Sequence, residues 1–336
     1  MYEYFAKANR ARFIALVILL AALLGTTAFA AERPQRTLIP VGHTVGVKLF
    51  ARGVMVVKLT DGGTPARECG LKTGDVIVEC GGTAVTSTEQ FQALLQENGT
   101  RSTDLQVKRN GDSMTLSVEP ERNEEGICCI GAWIRDSMAG IGTMTYYDPE
   151  TKTFGALGHG ITDTDTAMLM PFARGSILPS TVKAVKKGCS GSAGELRGDF
   201  DLNRELGTLY ANTSCGVFGK LEKVDDALAA GTALPVGQAV VGPAVIHTNI
   251  QGDTVAEYDI EIVKVSSGNA DGRELVLKVT DPKLIEATGG IVQGMSGSPI
   301  LQNGTIVGAV THVLLNDPCK GYGILIETML NSADIA

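Results

Sequence analysis

The sequence is short of basic charge, histidine and aromatic side chains, and each shortage removes a class of function. Lys and Arg number 29 against 37 Asp and Glu, a net charge of −8. No positive field exists to hold nucleic acid or an anionic membrane surface. Only four histidines occur, each standing alone, and the seven cysteines (Cys69, Cys80, Cys128, Cys129, Cys189, Cys215, Cys319) show no CxxC spacing. A zinc site is therefore not expected, and neither a metal nor an organic cofactor is implied. The odd cysteine set assigns no disulfide pairing and reads mostly as small buried apolar residues. Aromatics make up 5% while glycines number 41, a balance that suits short strands and tight turns better than long helices. The chain has 336 residues, room for two compact domains, and no internal repeat or low-complexity tract.

One apolar run stands out, at the N-terminus. Lys7, Arg10 and Arg12 precede an uncharged stretch from Phe13 to about Leu24, and small residues follow at Ala28 and Ala30. Residues 1–31 read as a signal peptide cut after Ala30 or, equally, as an uncleaved membrane anchor. Either way the rest of the chain is expected outside the cytoplasm. Residues 32–44, with Pro34 and Pro40, read as a tether.

From 45 to 120 the pattern becomes short alternating strands with one helix. Val45-Gly46-Val47-Lys48-Leu49 and Val54-Met55-Val56-Val57 are strand-like, and Ser87-Thr88-Glu89-Gln90 caps a helix with Phe91, Leu94 and Leu95 on its apolar face. Between them lies Ala66-Arg67-Glu68-Cys69-Gly70-Leu71-Lys72-Thr73-Gly74-Asp75-Val76-Ile77, in which Gly70 and Gly74 free the backbone for turns. This run resembles a PDZ domain. The resemblance implies a peptide-binding groove near Val45, Gly46 and Val47, where an extended ligand adds as a strand. Residues 121–127 read as a linker. From 128 to 336 many strand-like runs follow at close spacing, with only 223–230 reading helical, which indicates a β-barrel or sandwich. The expected fold is thus mainly β with some α, a PDZ-like α/β module ahead of a barrel-like domain.

The sharpest chemical signal is Gly294-Met295-Ser296-Gly297-Ser298-Pro299-Ile300. A serine between glycines on a turn before a strand presents its hydroxyl and leaves nearby N–H groups free for an oxyanion. Ser296 is the candidate nucleophile, with the N–H groups of Gly294 and Ser296 as the oxyanion hole, as at the corresponding place of a trypsin-like barrel. Leu157-Gly158-His159-Gly160 offers an accessible imidazole that precedes the serine, so His159 is the candidate base, with His312 as runner-up. Asp281, Asp163 and Asp259 all remain open as the orienting carboxylate on spacing alone. Gly188-Cys189-Ser190-Gly191-Ser192 mimics the nucleophile motif but lacks the following Pro and strand, and reads as a glycine-rich loop. It also raises a Cys189 thiol enzyme as a rival.

The PDZ-like module, "LGHGITD", "CGVFGKL", "TGGIVQGMSGSPI" and "GAVTHV" occur here in the order found in the SpoIVB peptidase family, which the chain after its N-terminal segment resembles. The resemblance implies a triad of His159, Asp281 and Ser296 and a secreted signalling peptidase of endospore formers. Such an enzyme enters the space between forespore and mother-cell membranes and cleaves a membrane-bound regulator, and probable self-cleavage and self-association come with it. The expected partners are a protein substrate at a membrane and a peptide ligand of the PDZ module. Asp281 lies unusually close to Ser296 for a trypsin-like chain. The alternative is a non-catalytic exported PDZ scaffold.

Overall fold

The computed structural model describes residues 36–336 except 225–227, 229, 267 and 269–271. The expected signal peptide or anchor (1–31) and much of the expected helix at 223–230 lie outside the described residues. No described helix is long and apolar enough to cross a membrane.

The chain enters through β1 (Thr37–Pro40) and β2 (Thr44–Leu59). Then come α1 (Pro65–Glu68), β3 (Val76–Cys80), β4 (Thr83–Ala84), α2 (Thr88–Asn98), β5 (Thr103–Arg109) and β6 (Asp112–Val118). A small ribbon of β7 (Glu121–Arg122) and β8 (Cys128–Cys129) leads into β9 (Ala132–Asp148). After it run β10 (Thr153–Ala156), β11 (Phe172–Lys186), β12 (Glu195–Phe200), β13 (Gly207–Thr213), β14 (Gly216–Leu221) and β15 (Leu234–Pro235). The C-terminal third holds β16 (Gly242–Gln251), β17 (Thr254–Val265), β18 (Leu275–Val279), α3 (Pro282–Thr288), β19 (Pro299–Gln302), β20 (Thr305–Val313), β21 (Lys320–Leu325) and α4 (Ile326–Ile335).

The strand pairings close two rings. β2 pairs β9, β9 pairs β10, β10 pairs β14, β14 pairs β13, β13 pairs β11, and β11 returns to β2. The second ring is a closed barrel in the order β16, β17, β18, β21, β20, β19. In this second ring closure removes the free edges that an open sheet would expose. Val45, Val47, Phe154, Ile177 and Val217 fill the first barrel; Ile246, Ile262, Leu277, Met295, Ile300 and Val310 fill the second. A shared cluster joins Leu38, Tyr146 and Phe218 of the first half to Leu301, Ile306, Ile324 and Met329 of the second.

The PDZ-like module is an insertion in the first barrel, not a unit ahead of it. β2 has 16 residues; its first half closes the barrel and its second half starts the module. Gly53, at φ +96, lies between the halves, and a Cβ there would meet the Ile77 carbonyl at 2.4 Å. The module's sheet runs β9, β2, β3, β5, β6, with Phe91 and Leu95 of α2 packed on Val54, Val56, Ile77, Leu105 and Val107. Asp75 of the Gly-Asp turn is buried, bound in bidentate fashion by Arg109 and accepting the Lys72 N–H.

Two expectations change as a result. Val45, Gly46 and Val47 form no groove: they pair with Gly142, Ile141 and Gly140 on one side and with Pro179, Leu178 and Ile177 on the other. Both backbone edges are consumed, so no peptide can add there. Residues 37–44 are not a tether either, because β1 pairs with β9 and β15 and sinks Leu38 and Ile39 into the core. Pro40 is tolerated at the strand's last position. The barrel domain thus begins at residue 37, well before 128. Leu38→Ala is expected to lower stability by about 3 kcal/mol in urea unfolding, whereas a side chain in a tether would register almost nothing.

Candidate active site

The nucleophile segment is positioned from both ends. Asp281 caps α3, accepting the Lys283 and Leu284 N–H groups, and Gly289 ends the helix in the left-handed conformation at φ +77. Residues 290–298 then turn back into β19. Gly294 and Gly297 both sit at φ +98, where an L side chain is strained. Ser298 is buried and bonds back to the Met295 carbonyl through its N–H (2.9 Å) and its hydroxyl (2.7 Å). The Gly297 N–H donates to Val310 at 2.7 Å, tying the loop to β20. The N–H groups of Gly294 and Ser296 have no hydrogen-bond partner among the described residues. The Ser296 hydroxyl donates to the Thr311 carbonyl at 2.7 Å.

The first barrel supplies the imidazole. β10 ends at Ala156, and Leu157 (φ +70) and Gly158 (φ +69) turn the chain sharply toward the second barrel. A Cβ on Gly158 would meet Thr311 Cγ2 at 2.9 Å, so glycine permits the approach. His159 follows, half-buried, with Nδ1 2.9 Å from the Gly160 carbonyl. A carbonyl only accepts, so Nδ1 carries the proton and Nε2 keeps its lone pair. Burial holds this imidazole below its ordinary value of 6.5, against the opposing bond to Gly160. His159 is therefore neutral at neutral pH, with Nε2 able to accept a proton.

His159 and Ser296 line one cavity of about 860 Å³ between the barrels, with Met138, Ile141, Thr311 and His312 also in its wall. The His159 and His312 rings lie 5.1 Å apart. Thr143 of β9 holds the two sides together. Its N–H donates to the Ser296 carbonyl (2.9 Å), its hydroxyl to the Gly294 carbonyl (2.7 Å), and its own carbonyl accepts the Leu157 N–H (3.1 Å). No pattern in Gly140-Ile141-Gly142-Thr143 marks this role in the sequence.

The expected carboxylate is not brought to the pair. Asp281 is absent from the cavity wall and spends its carboxylate on the cap of α3 and on a 3.4 Å contact from the Asp259 N–H. Fifteen residues separate it from Ser296, and the helix and loop between them consume that length. Asp259 lines no part of the cavity either. Asp163 is fully buried but turned to its own loop and to Arg135. Burial raises its pKa, yet the hydrogen bonds from Thr166 and Asp165 and the Arg135 charge outweigh that and leave it lowered. The glycine-rich mimic at 188–192 is a tight turn with an exposed Cys189, bonded to Leu315 and Asn316 and outside the cavity. Nothing favours the thiol reading, and no disulfide forms among the seven cysteines.

Glycine at 297 is demanded by contact as well as by dihedral. A Cβ there would sit 2.0 Å from the Thr143 carbonyl and 2.6 Å from the Leu157 amide. Gly297→Ala is expected to cost about 2–4 kcal/mol. Gly191→Ala, at φ +84 with nothing within 4 Å, should cost about 1 kcal/mol. Thermal unfolding of the two variants separates a clamped turn from an open one.

Known proteins match different parts of this chain. A PDZ domain model matches residues 56–109. "Zinc metalloprotease RasP" of Oceanobacillus iheyensis is 30% identical over 108 residues, 32% of this chain and 24% of that protein. "Serine protease HTRA1" of Xenopus tropicalis is 38% identical over 61 residues, 18% of this chain and 13% of that one. The chain thus spans a quarter or less of the length of these curated relatives. Among solved structures, the PDZ domain of an SdrC-like protein from Listeria monocytogenes aligns with a TM-score of 0.23 at 21% identity, covering 25% of this chain and 87% of that one. The active form of the Rv3671c protease from M. tuberculosis aligns with a TM-score of 0.30 at 13% identity, covering 58% and 73%. The SpoIVB peptidase S55 model matches residues 126–330, which is more than half of the sequence, and the chain belongs to that family of serine peptidases.

Proposed function

We propose that this protein is an exported serine endopeptidase in which Ser296 and His159 work as a dyad. The observation that carries this reading is their meeting from separate barrels in one cavity, beside two unpartnered N–H groups. The Ser296 hydroxyl rotates from the Thr311 carbonyl toward His159 Nε2, which takes its proton as Oγ attacks a peptide carbonyl. The N–H groups of Gly294 and Ser296 receive the oxyanion. His159 then returns the proton to the leaving amine, and water, activated the same way, resolves the acyl-enzyme. The Gly160 carbonyl takes the place that a carboxylate holds in a triad, fixing the tautomer. Asp281 is a positioning residue that starts the helix leading into the nucleophile loop.

The family setting supports a finer reading: a sporulation signal cut outside the forespore, with a membrane-bound regulator and the chain itself as substrates. Cleavage of that regulator would then trigger sigma-factor activation in the mother cell.

Ser296→Ala and His159→Ala are each expected to lower kcat by about 10⁴-fold or more on any peptide the wild type cuts. A fluorophosphonate should label Ser296 in the wild type alone. His312→Ala retaining most of the rate assigns the base to His159; the opposite pattern assigns it to His312.

Asp281 allows a sharper test. Asn and Ser cap helices about as well as Asp, but neither can orient a histidine as an ionised carboxylate does. Asp281→Asn and Asp281→Ser are expected to keep kcat within about threefold, while Asp281→Ala loses about 1 kcal/mol of stability. A loss near 10⁴-fold in the Asn variant would instead restore Asp281 as the third triad member.

A further inference from the structure

β9 runs unbroken for 17 residues through both the module and the first barrel. One of its edges is paired with β2 from Ala132 to Thr143, and the bulge between Phe50 and Met55 lies on β2. Its other edge meets β10 only from Met144 onward. From 132 to 142 that edge has no partner strand among the described residues. An open row of N–H and C=O groups this long is a template for strand addition.

The two ends of this edge have different surroundings. Near Thr143 it enters the catalytic cavity, where Met138, Ala139, Gly140 and Ile141 share the wall with His159 and Ser296. At the other end it lies beside α2. Ala132 and Ile134 pack against the core cluster that includes Phe91 and Leu95, and the Asp136 carboxylate accepts the Thr88 N–H (2.8 Å) and hydroxyl (3.2 Å). One strand therefore leads from beside α2 into the cavity that holds Ser296 and His159.

The residues just before β9 give this edge a polarity. The carbonyls of Ile130 and Gly131 are taken by the N–H groups of Ala66 (2.8 Å) and Thr60 (2.9 Å). The N–H groups of Ile130 and Gly131 have no partner among the described residues, and Gly131 sits at φ +75. Successive unpaired N–H groups around a left-handed glycine form a nest for an anion, and the anion at the end of an extended peptide is its carboxylate. A peptide with its C-terminus there runs antiparallel to β9, so its upstream residues lead toward the cavity that holds Ser296.

Resting on the serine-peptidase reading above, we propose that β9 is one docking strand serving both sites. The last residues of an extended polypeptide substrate add to its open edge, with the free carboxylate at Ile130 and Gly131. The edge from 132 to 142 spans roughly 35 Å at about 3.3 Å per residue. The scissile bond is therefore set about ten residues from the substrate's C-terminus. The PDZ-like insertion then acts as a gauge that selects C-terminal tails and fixes where they are cut.

Synthetic peptides with one cleavable core followed by 4, 7, 10, 13 or 16 Gly, Ser and Thr residues test this, each made as free acid and as C-terminal amide. The full chain is expected to cut the free acid with about ten trailing residues at least about tenfold more efficiently in kcat/KM than the shortest and longest. Amidation should erase the difference. Equal cutting at all spacings, in acid and amide alike, would overturn the gauge and leave the peptidase standing. Fluorescence anisotropy on Ser296→Ala keeps the question decidable without turnover: the acid should bind about tenfold tighter than its amide, and equal affinities overturn the proposal. Self-association of the chain that the acid peptide does not displace would assign the edge to a second copy, also against it. No cleavage and no fluorophosphonate labelling would remove the peptidase reading, and the gauge with it.

Discussion

Thr143 is where the two barrels are joined at the candidate site. Its amide and hydroxyl hold the carbonyls on either side of Met295, and its carbonyl holds Leu157, two residues before His159. A catalytic pair drawn from separate barrels needs registry to a fraction of an ångström, and side-chain packing alone is too compliant to give it. Three short hydrogen bonds from one buried residue are not. They also explain the glycines: at 142 a Cβ would overlap Leu157, and at 297 it would overlap Thr143 itself. Those positions are empty so that β9, the base loop and the nucleophile loop can touch backbone to backbone.

The same strand that carries Thr143 also carries the inserted module. A PDZ unit joined by a flexible linker samples many orientations, and its ligand reaches the active site at an effective concentration set by linker length. Here β2 and β9 leave the barrel as a paired ribbon and become two strands of the module, so no linker exists at the junction. Arg135, on β9 opposite Met55, pairs with Asp163 and Asp165 in the loop that follows His159. Because Asp163 is buried with its pKa lowered, losing Arg135 would leave its charge to the Thr166 and Asp165 hydrogen bonds alone. Module, base loop and nucleophile loop are thereby fastened to one strand.

What the sequence could reveal was whatever local chemistry demands. The serine between positive-φ glycines and the histidine between glycines were legible because the backbone conformations they need are written in the residues themselves. The Ala66-to-Ile77 run was legible for the same reason: Gly70, Gly74 and buried Asp75 make a turn that few other sequences make. Strand pairing over long separations leaves no such mark. Val45, Gly46 and Val47 read equally well as an edge or a centre, and only Gly140 to Gly142, nearly a hundred residues on, decides between them. Leu38 and Ile39, flanked by Thr37 and Pro40, resembled a tether because four residues show no period. Asp281 was suggested by family resemblance, and the helix it caps, Pro282–Thr288, left no readable period in seven residues.

In the proposed dyad, a base oriented by a carbonyl sets an energetic condition on the rest of the site. The imidazolium formed during attack is favoured by an adjacent carboxylate far more than by one peptide dipole, and His159 is already pushed toward neutrality by burial. Less of the barrier can then be lowered at the base, so more must be lowered at the oxyanion and through remote substrate contacts. The open edge of β9, proposed above as a docking strand, is a source of such contacts, because every backbone bond made along it would help hold a scissile carbonyl against the proposed oxyanion donors, the Gly294 and Ser296 amides. A short peptide forgoes those bonds and a long extended one collects them. In the proposed site selectivity and rate then share one origin, the contacts a substrate makes along that strand edge.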